Sequence, residues 1–145
     1  MSFTIKALAS PIFALAIAAS GCGRSDDPTI PQPEKVYRDG FETPLESIRI
    51  EAHGGTIIGA YDAWLVIAGE AFPQPRNEGD YRPIDCGPLA QYLERERGLA
   101  PAPVGAFEPV DCRQANNERL PFDNGRWLAT AQSGDRLFYR VWKYR

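Results

Sequence analysis

A short apolar stretch near the N terminus sets how much of the 145-residue chain is left to fold. The thirteen residues Ala7–Ala19 are almost wholly apolar, and Lys6 is the only charged residue before position 22. As a helix this stretch would be roughly 20 Å long at 1.5 Å per residue, which is short of the roughly 30 Å hydrocarbon core of a bilayer. A charged start, a short apolar run and small residues after it are typical of a secretory signal rather than a permanent membrane span.

The residues that follow this stretch are Ala19-Ser20-Gly21-Cys22. They resemble the lipobox of bacterial lipoproteins, in which small residues precede a cysteine that becomes the lipid-modified N terminus. The resemblance implies acyl chains, palmitate among them, on Cys22 and a membrane anchor in the cell envelope. Gly23 rather than Asp after that cysteine implies, by the sorting rule of Gram-negative lipoproteins, the outer membrane facing the periplasm. The family usually has Leu or another branched residue where this chain has Ala19, so ordinary signal cleavage nearby stays an alternative.

The number of cysteines fits lipidation. The chain has three, Cys22, Cys86 and Cys112, and if lipid alkylates the first, an even pair remains. An exported protein meets an oxidising compartment, where such a pair is normally bridged. Closing that loop would stabilise the domain by about 3.5 kcal/mol in the chain-entropy model. Since two cysteines and the single histidine supply too few soft ligands for structural zinc, we predict a disulfide, no metal site and no cofactor.

A proline-rich segment separates the expected anchor from the folded part. Residues 22–40 contain three prolines among charged residues and few apolar ones, a composition typical of a spacer. The alternative is that Val36 and Tyr37 pack as a first edge strand. We therefore expect a signal peptide over residues 1–21, a lipidated tether over 22–40, and one small disulfide-containing domain over 41–145.

Two predicted hairpins account for most of that domain. Residues Ile48–His53 alternate between apolar and polar side chains, which predicts a strand. The pair Gly54-Gly55 predicts a hairpin turn, and the return segment Thr56–Ala68 is apolar enough on both faces to be a central strand. A second hairpin is predicted from Trp127–Gln132 and Arg136–Tyr144, which flank a Ser-Gly-Asp turn.

One helix is predicted between the hairpins. Pro88 suits its first position, three apolar residues of the following turns share one face, and Gly98 can end it. The stretch Leu99–Asn124 is expected to be irregular and held by the disulfide. The predicted fold class is therefore α+β: a small antiparallel sheet built of two hairpins with one short helix, closed by one disulfide.

Catalytic residue types are few. His53 is the only histidine and could act as a general base, with Asp62 near enough in sequence to orient it. No serine lies in a Gly-x-Ser-x-Gly turn. Two carboxylates suffice for glycoside cleavage, and the candidates by residue type are Asp62, Glu70, Asp80, Asp85 and Asp111. We predict no catalytic site, with a small envelope hydrolase that uses His53 or a carboxylate pair as the alternative.

The C-terminal segment differs from the rest of the chain in charge. Residues 119–145 hold six basic and two acidic residues, a net charge of +4, whereas residues 22–118 hold nine basic and seventeen acidic ones, a net of −8. Alternation along the last strand puts one set of side chains on a single face: Phe138, Arg140, Trp142 and Tyr144. If that face is outward, its rings and guanidinium suit stacking on sugars or docking on an anionic partner. The alternative is that the rings belong to the core, covered by the arginine stems.

These observations predict a non-enzymatic envelope lipoprotein that binds a protein or glycan partner. The N-terminal lipid would anchor the protein to the membrane. A lipid-anchored structural subunit of an envelope complex is a further alternative. Nucleic acid is a poor partner because the mature chain is net acidic and is expected outside the cytoplasm.

Overall fold

The computed structural model describes residues 27–69, 71–97, 107–116 and 124–144. The expected signal peptide over 1–21 and the expected lipidation site Cys22 lie outside these residues. Eight helices and strands make up the described fold: α1 (Pro33–Gly40), β1 (Arg49–Thr56), β2 (Ala60–Ala68), β3 (Arg82–Pro83), α2 (Gly87–Arg97), β4 (Pro109–Asn116), β5 (Asn124–Ala131) and β6 (Arg136–Tyr144). Two single 3₁₀ turns, Leu45–Ser47 and Glu78–Asp80, lie in the connections.

All six strands form a single antiparallel sheet in the order β1-β2-β6-β5-β4-β3. The prediction of two hairpins with one helix is therefore wrong, because β3, β4 and α1 are additional elements. Strand β4 lies within the stretch expected to be irregular. Its alternation is broken by a bulge between Val110 and Arg113, where Asp111 has a positive φ of 49°. A bulge shifts the side-chain period by one residue, so the strand pattern is hidden in the sequence.

The turn of the first hairpin is also placed differently. Gly54 and Gly55 lie inside β1, and the chain turns after Thr56, where Gly59 has a φ of +72°. Gly54 lies opposite Trp64, and a Cβ built on it would be 2.6 Å from the Trp64 ring. The absence of a side chain at position 54 therefore makes room for the indole. The second hairpin is confirmed, since β5 pairs with β6 around a tight turn at Gly134.

Helix α2 covers one face of the sheet, as its apolar periodicity indicates. The Asp85 carboxylate accepts a hydrogen bond from the backbone N–H of Gly87, 2.7 Å away, at the start of the helix. Carboxylates at this end of a helix are favourable because the first N–H groups have no partner within the helix. The buried helix residues Leu89, Tyr92 and Leu93 pack in one apolar cluster with strand residues that include Trp64, Trp127, Phe138 and Trp142.

Helix α1 covers the opposite face. Its residues were expected to belong to the tether, or to form an edge strand, but Pro33–Gly40 is helical with Pro33 at the start, where its missing N–H costs nothing. Val36 and Tyr37 are buried against β2 and β6, and the Tyr37 ring stacks on Phe41 at a centroid distance of 4.9 Å. The folded part of the chain thus includes residues on the N-terminal side of position 41.

A disulfide joins Cys86, just before α2, to Cys112 in β4, with a Cα–Cα distance of 5.4 Å. This bridge confirms the predicted pair. Beside it, β3 pairs with β4, and the backbone N–H of Ile84 donates to the carbonyl of Cys112 at 2.9 Å. Pro83 is tolerated in β3 because this two-residue strand is at the sheet edge, where one side needs no ladder hydrogen bonds.

Candidate functional site

The predicted binding face on β6 lies under α2. Phe138 is 0% exposed, Arg140 5% and Trp142 6%, and only Tyr144, at 42%, reaches the surface. Three of the four side chains are therefore core residues, and they do not form an exposed binding face. The physical reason is that both faces of β6 are apolar, so alternation alone does not say which face a helix covers.

Arg140 is held by several partners inside this core. Its guanidinium donates two hydrogen bonds to Asp62, at 2.9 and 2.6 Å, and a third to the Tyr144 hydroxyl at 3.0 Å. Its Cζ lies 3.8 Å from the ring centroid of Tyr92 and 4.8 Å from those of Trp127 and Trp142. Burial lowers the pKa of Arg140, but the hydrogen bonds and charge of Asp62 raise it by more, so the group stays charged. This cluster is a satisfied structural ion pair.

The sequence-predicted pair of His53 and Asp62 is not brought together. His53 is registered opposite Leu65, on the α1 face, whereas Asp62 binds Arg140 on the α2 face. The half-buried His53 has its Nδ1 atom buried without a hydrogen-bond partner among the described residues. The pairing with Asp62 on which the His53 interpretation depended is therefore absent.

Three of the candidate carboxylates have structural partners instead. Asp62 binds Arg140 at 2.6 Å, Asp85 accepts the hydrogen bond at the start of α2, and Asp80 lies 3.6 Å from Arg126. Asp111 occupies the bulge of β4, and Glu70 lies outside the described residues.

A groove with a volume of about 760 Å³ runs between α1 and the end of the sheet where β2 begins and β6 ends. We call it the α1 groove. Among its lining side chains are Lys35, Val36, Tyr61, Arg126, Val141 and Lys143. The register of β2, β6 and β5 explains this set, because Tyr61 lies opposite Lys143, and Arg126 lies opposite Val141. Its volume is in the range of small-ligand sites, roughly 300–1,000 Å³.

The charges of the α1 groove are mostly positive. Lys35 pairs with Asp39 at 2.8 Å, and the hydrogen bond and charge of this carboxylate raise the pKa of Lys35. Arg126 lies 3.6 Å from Asp80 and 5.3 Å from the ring centroid of Tyr81. Lys143 has no ion pair within the part of the chain that the structure describes. One exposed cation is thus free to meet an anionic group at the groove.

An aromatic side chain adds to this surface. Tyr61 is half-buried in the α1 groove, and burial together with the charge of Asp39 raises the pKa of its phenol. The hydroxyl is therefore a neutral donor at physiological pH, on a residue that lies opposite Lys143 of the neighbouring strand.

Sequence reasoning missed this site in part. Arg126 and Lys143 belong to the basic C-terminal segment, for which the sequence predicts a binding surface on the other face of β6. Lys35 lies in the segment whose composition predicts a tether. One sequence signal could have indicated the contribution of Lys35 to this site. Pro33 is typical of a helix start, and the apolar residues Val36 and Tyr37 that follow it indicate a side of that helix that is buried.

Within residues 27–69, 71–97, 107–116 and 124–144, no three His, Cys, Asp or Glu side chains cluster as a metal site would need. No helix among them is long and apolar enough to cross a bilayer. Comparison with protein-family models, with curated proteins and with solved structures found no match to this chain.

Proposed function

We propose that the protein is a non-enzymatic, lipid-anchored envelope protein whose α1 groove binds a segment of a partner protein that carries acidic and aliphatic side chains. The N-terminal pattern that ends in Cys22 supports the anchor, and the disulfide-bridged domain suits the oxidising compartment in which it would work. The single observation that carries the binding proposal is the α1 groove itself.

The composition of the groove selects the class of partner. Val36 and Val141 give it an aliphatic floor, which favours aliphatic side chains over the hydroxyl groups of a sugar. Lys35 and Arg126 at its side favour carboxylates over cations. An acidic and aliphatic peptide segment meets both conditions, whereas a glycan has no aliphatic side chains and meets the second condition only where its sugars carry carboxylates.

Photo-crosslinking in the native host tests the proposal. Tyr61 is replaced by p-benzoylphenylalanine, which keeps an aromatic ring in the groove, and the control probe replaces Gln91, an exposed residue of α2. We expect a discrete protein adduct from position 61 and none from position 91. Adducts of equal yield from both positions, or none from position 61, would contradict partner binding in the groove.

A matched pair of variants tests the part played by charge. Val141→Glu places a carboxylate in the groove, and Val141→Gln places a neutral side chain of nearly the same shape there. If the partner segment is acidic, the adduct from position 61 is lost in the Glu variant and largely kept in the Gln variant. An equal loss in both would mean that apolar contact alone holds the partner.

The anchor has its own test. Globomycin inhibits the peptidase that processes lipoprotein precursors, so we expect treated cells to accumulate the unprocessed chain. The Cys22→Ser variant should show the same block without the inhibitor. Normal processing in either case would remove the lipid anchor from the proposal.

A further inference from the structure

Exposed apolar side chains gather at one end of the sheet. Among the described residues, Ile57 is 48% exposed, Ile58 68% and Tyr144 42%, and they are three of the five exposed large apolar residues. The two isoleucines form the turn between β1 and β2, and Tyr144 lies opposite Ala60 at the base of that turn. We call these three residues the apolar tip. The other two, Phe72 and Val110, lie toward the opposite end of the strands.

The charges near the apolar tip include a cation, Lys143, and an acidic side chain, Asp27, whose carboxylate accepts hydrogen bonds from Thr29. Lys143 precedes Tyr144 and has no ion pair with any described residue. Asp62, close to the same end of the sheet, is neutralised by Arg140. The Tyr144 hydroxyl accepts a hydrogen bond from Arg140 at 3.0 Å, which fixes a ring that is apolar in its body and polar at its end. Such rings are enriched at the interface between a membrane and water.

The chain also enters the fold at the apolar tip. The backbone N–H of Ile57 donates to the carbonyl of Thr29 at 3.0 Å, so the N-terminal segment begins beside the turn. Cys22 is seven residues before Thr29, and a fully extended chain of that length spans at most roughly 25 Å. A lipid on Cys22 would therefore hold the tip close to the membrane.

We propose that the apolar tip docks on the anionic phospholipid surface to which the protein is anchored, with Ile57 and Ile58 in the interfacial layer and Lys143 against lipid phosphate groups. This inference rests on the proposed lipid anchor. The anchor makes the contact intramolecular in effect, so a small apolar surface is sufficient. Docking orients the domain and places the α1 groove, which Ile57 also lines, near the membrane surface.

Depth-dependent fluorescence of the lipidated chain tests this orientation. With Cys22 acylated and Cys86 bridged to Cys112, Ile58→Cys introduces the one free thiol, which is labelled with an environment-sensitive dye. The control is Ser133→Cys, an exposed turn position at the opposite end of the sheet. Both are reconstituted in vesicles of phosphatidylethanolamine and phosphatidylglycerol that carry a quencher on the acyl chains.

We expect a blue-shifted and strongly quenched dye at position 58 and an unchanged dye at position 133. Adding Lys143→Glu reverses one charge, which should lower the ratio of docked to undocked protein roughly thirtyfold. Because the same dye is at both positions, quenching caused only by the affinity of the dye for lipid would occur at both.

Equal quenching at the two positions, or none at position 58, overturns docking and leaves the anchor intact. Dye uptake by the chain without an added cysteine would show a free Cys22 and overturn the anchor together with docking. Neither outcome affects crosslinking from position 61, so partner binding in the α1 groove is judged separately.

Discussion

At the scale of single residues, the core contains a buried ion pair between Arg140 and Asp62, whose charges and hydrogen-bonding groups must match each other. A buried guanidinium is tolerated only when its charge and its donors are matched. Here Asp62 supplies both oxygens, and Tyr92 and Trp127 place ring faces against the remaining surface. The pair therefore has to be kept or removed as a unit.

We expect Asp62→Ala to lower the free energy of unfolding by about 3–5 kcal/mol, because it leaves Arg140 buried without its counter-charge. The double variant Asp62→Leu with Arg140→Met removes both charges and should regain most of that loss. Urea unfolding followed by tryptophan fluorescence measures both. Equal destabilisation in the single and double variants would mean that packing, and not charge, is the cause.

Tyr81 gives a second prediction, because its buried hydroxyl has no hydrogen-bond partner among the described residues. Tyr81→Phe removes a polar group that gains nothing from folding, so the free energy of unfolding should stay the same or rise by up to about 1–2 kcal/mol. The matched control is Tyr37→Phe, which loses a hydrogen bond to the carbonyl of Thr43 at 3.0 Å and should cost about 1 kcal/mol. Losses of equal size would contradict the difference in bonding.

The same residue makes stability depend on alkaline pH. Burial raises the pKa of Tyr81 from 10.0 to about 12, against the opposing charges of Arg126 and Arg113. A phenol whose pKa is raised by folding contributes stability that is complete below pH 10 and is lost as pH rises through about 12. We expect a fall of about 2–3 kcal/mol from this group over that range, and a shallower fall in Tyr81→Phe. The measurement is the unfolding midpoint of the unchanged chain and of Tyr81→Phe at pH 9, 10, 11 and 12. An equal fall of the midpoint in both chains would contradict the prediction.

At the scale of elements, β5 and β6 approach each other closely where Gly125 of β5 lies opposite Trp142 of β6. A Cβ on Gly125 would be 2.3 Å from the indole of Trp142, which cannot retreat because it packs on Trp127 at a centroid distance of 5.0 Å. Gly125→Ala should therefore lower the free energy of unfolding by about 1–3 kcal/mol. Gly79→Ala is the control, since a Cβ there meets nothing within 4 Å. A small change in both variants would show that the ring shifts freely.

Elements whose signals are local could be predicted from the sequence. Helix α2 has a proline at its start and an apolar stripe, and the β5–β6 hairpin has a turn containing Gly134 between two strongly apolar strands. Elements whose reasons are tertiary could not. Gly54 has the appearance of a turn residue, but it is required by the ring of Trp64 on the neighbouring strand.

The candidate site was predictable only in its charge. Arg126 and Lys143 were recognised as part of a basic segment, but alternation on a strand that is apolar on both faces gives no sign of which face stays open. Lys35 comes from a helix that buries only Val36, Tyr37 and Gly40 among its eight residues. Three buried positions are too few for the sequence alone to distinguish a packed helix from a spacer. The distinction requires knowledge of the sheet face that the helix covers.

At the scale of the whole molecule, the sheet has an apolar surface on both sides and needs both helices. Val36 and Tyr37 of α1 are buried in one cluster with Leu65, Ile67 and Tyr139 of the sheet, so the loss of α1 would expose apolar side chains on this face. Burial of one such aliphatic side chain contributes roughly 1.5–3 kcal/mol. The loss of three such contributions, roughly 4.5–9 kcal/mol, is comparable with the typical total stability of about 5–15 kcal/mol.

This dependence predicts where the domain begins. A chain that starts at Asp27 should unfold in one cooperative transition, whereas a chain that starts at Phe41, the boundary suggested by composition, should bind a hydrophobic dye and lack a cooperative transition. Val36→Asp in the longer chain is the matched point variant, because it buries an unpaired carboxylate under α1 and should weaken the fold in the same direction. Equal unfolding midpoints for the two chains would mean that the sheet is stable with one face open. In that case α1 would be a movable cover of the groove rather than part of the core.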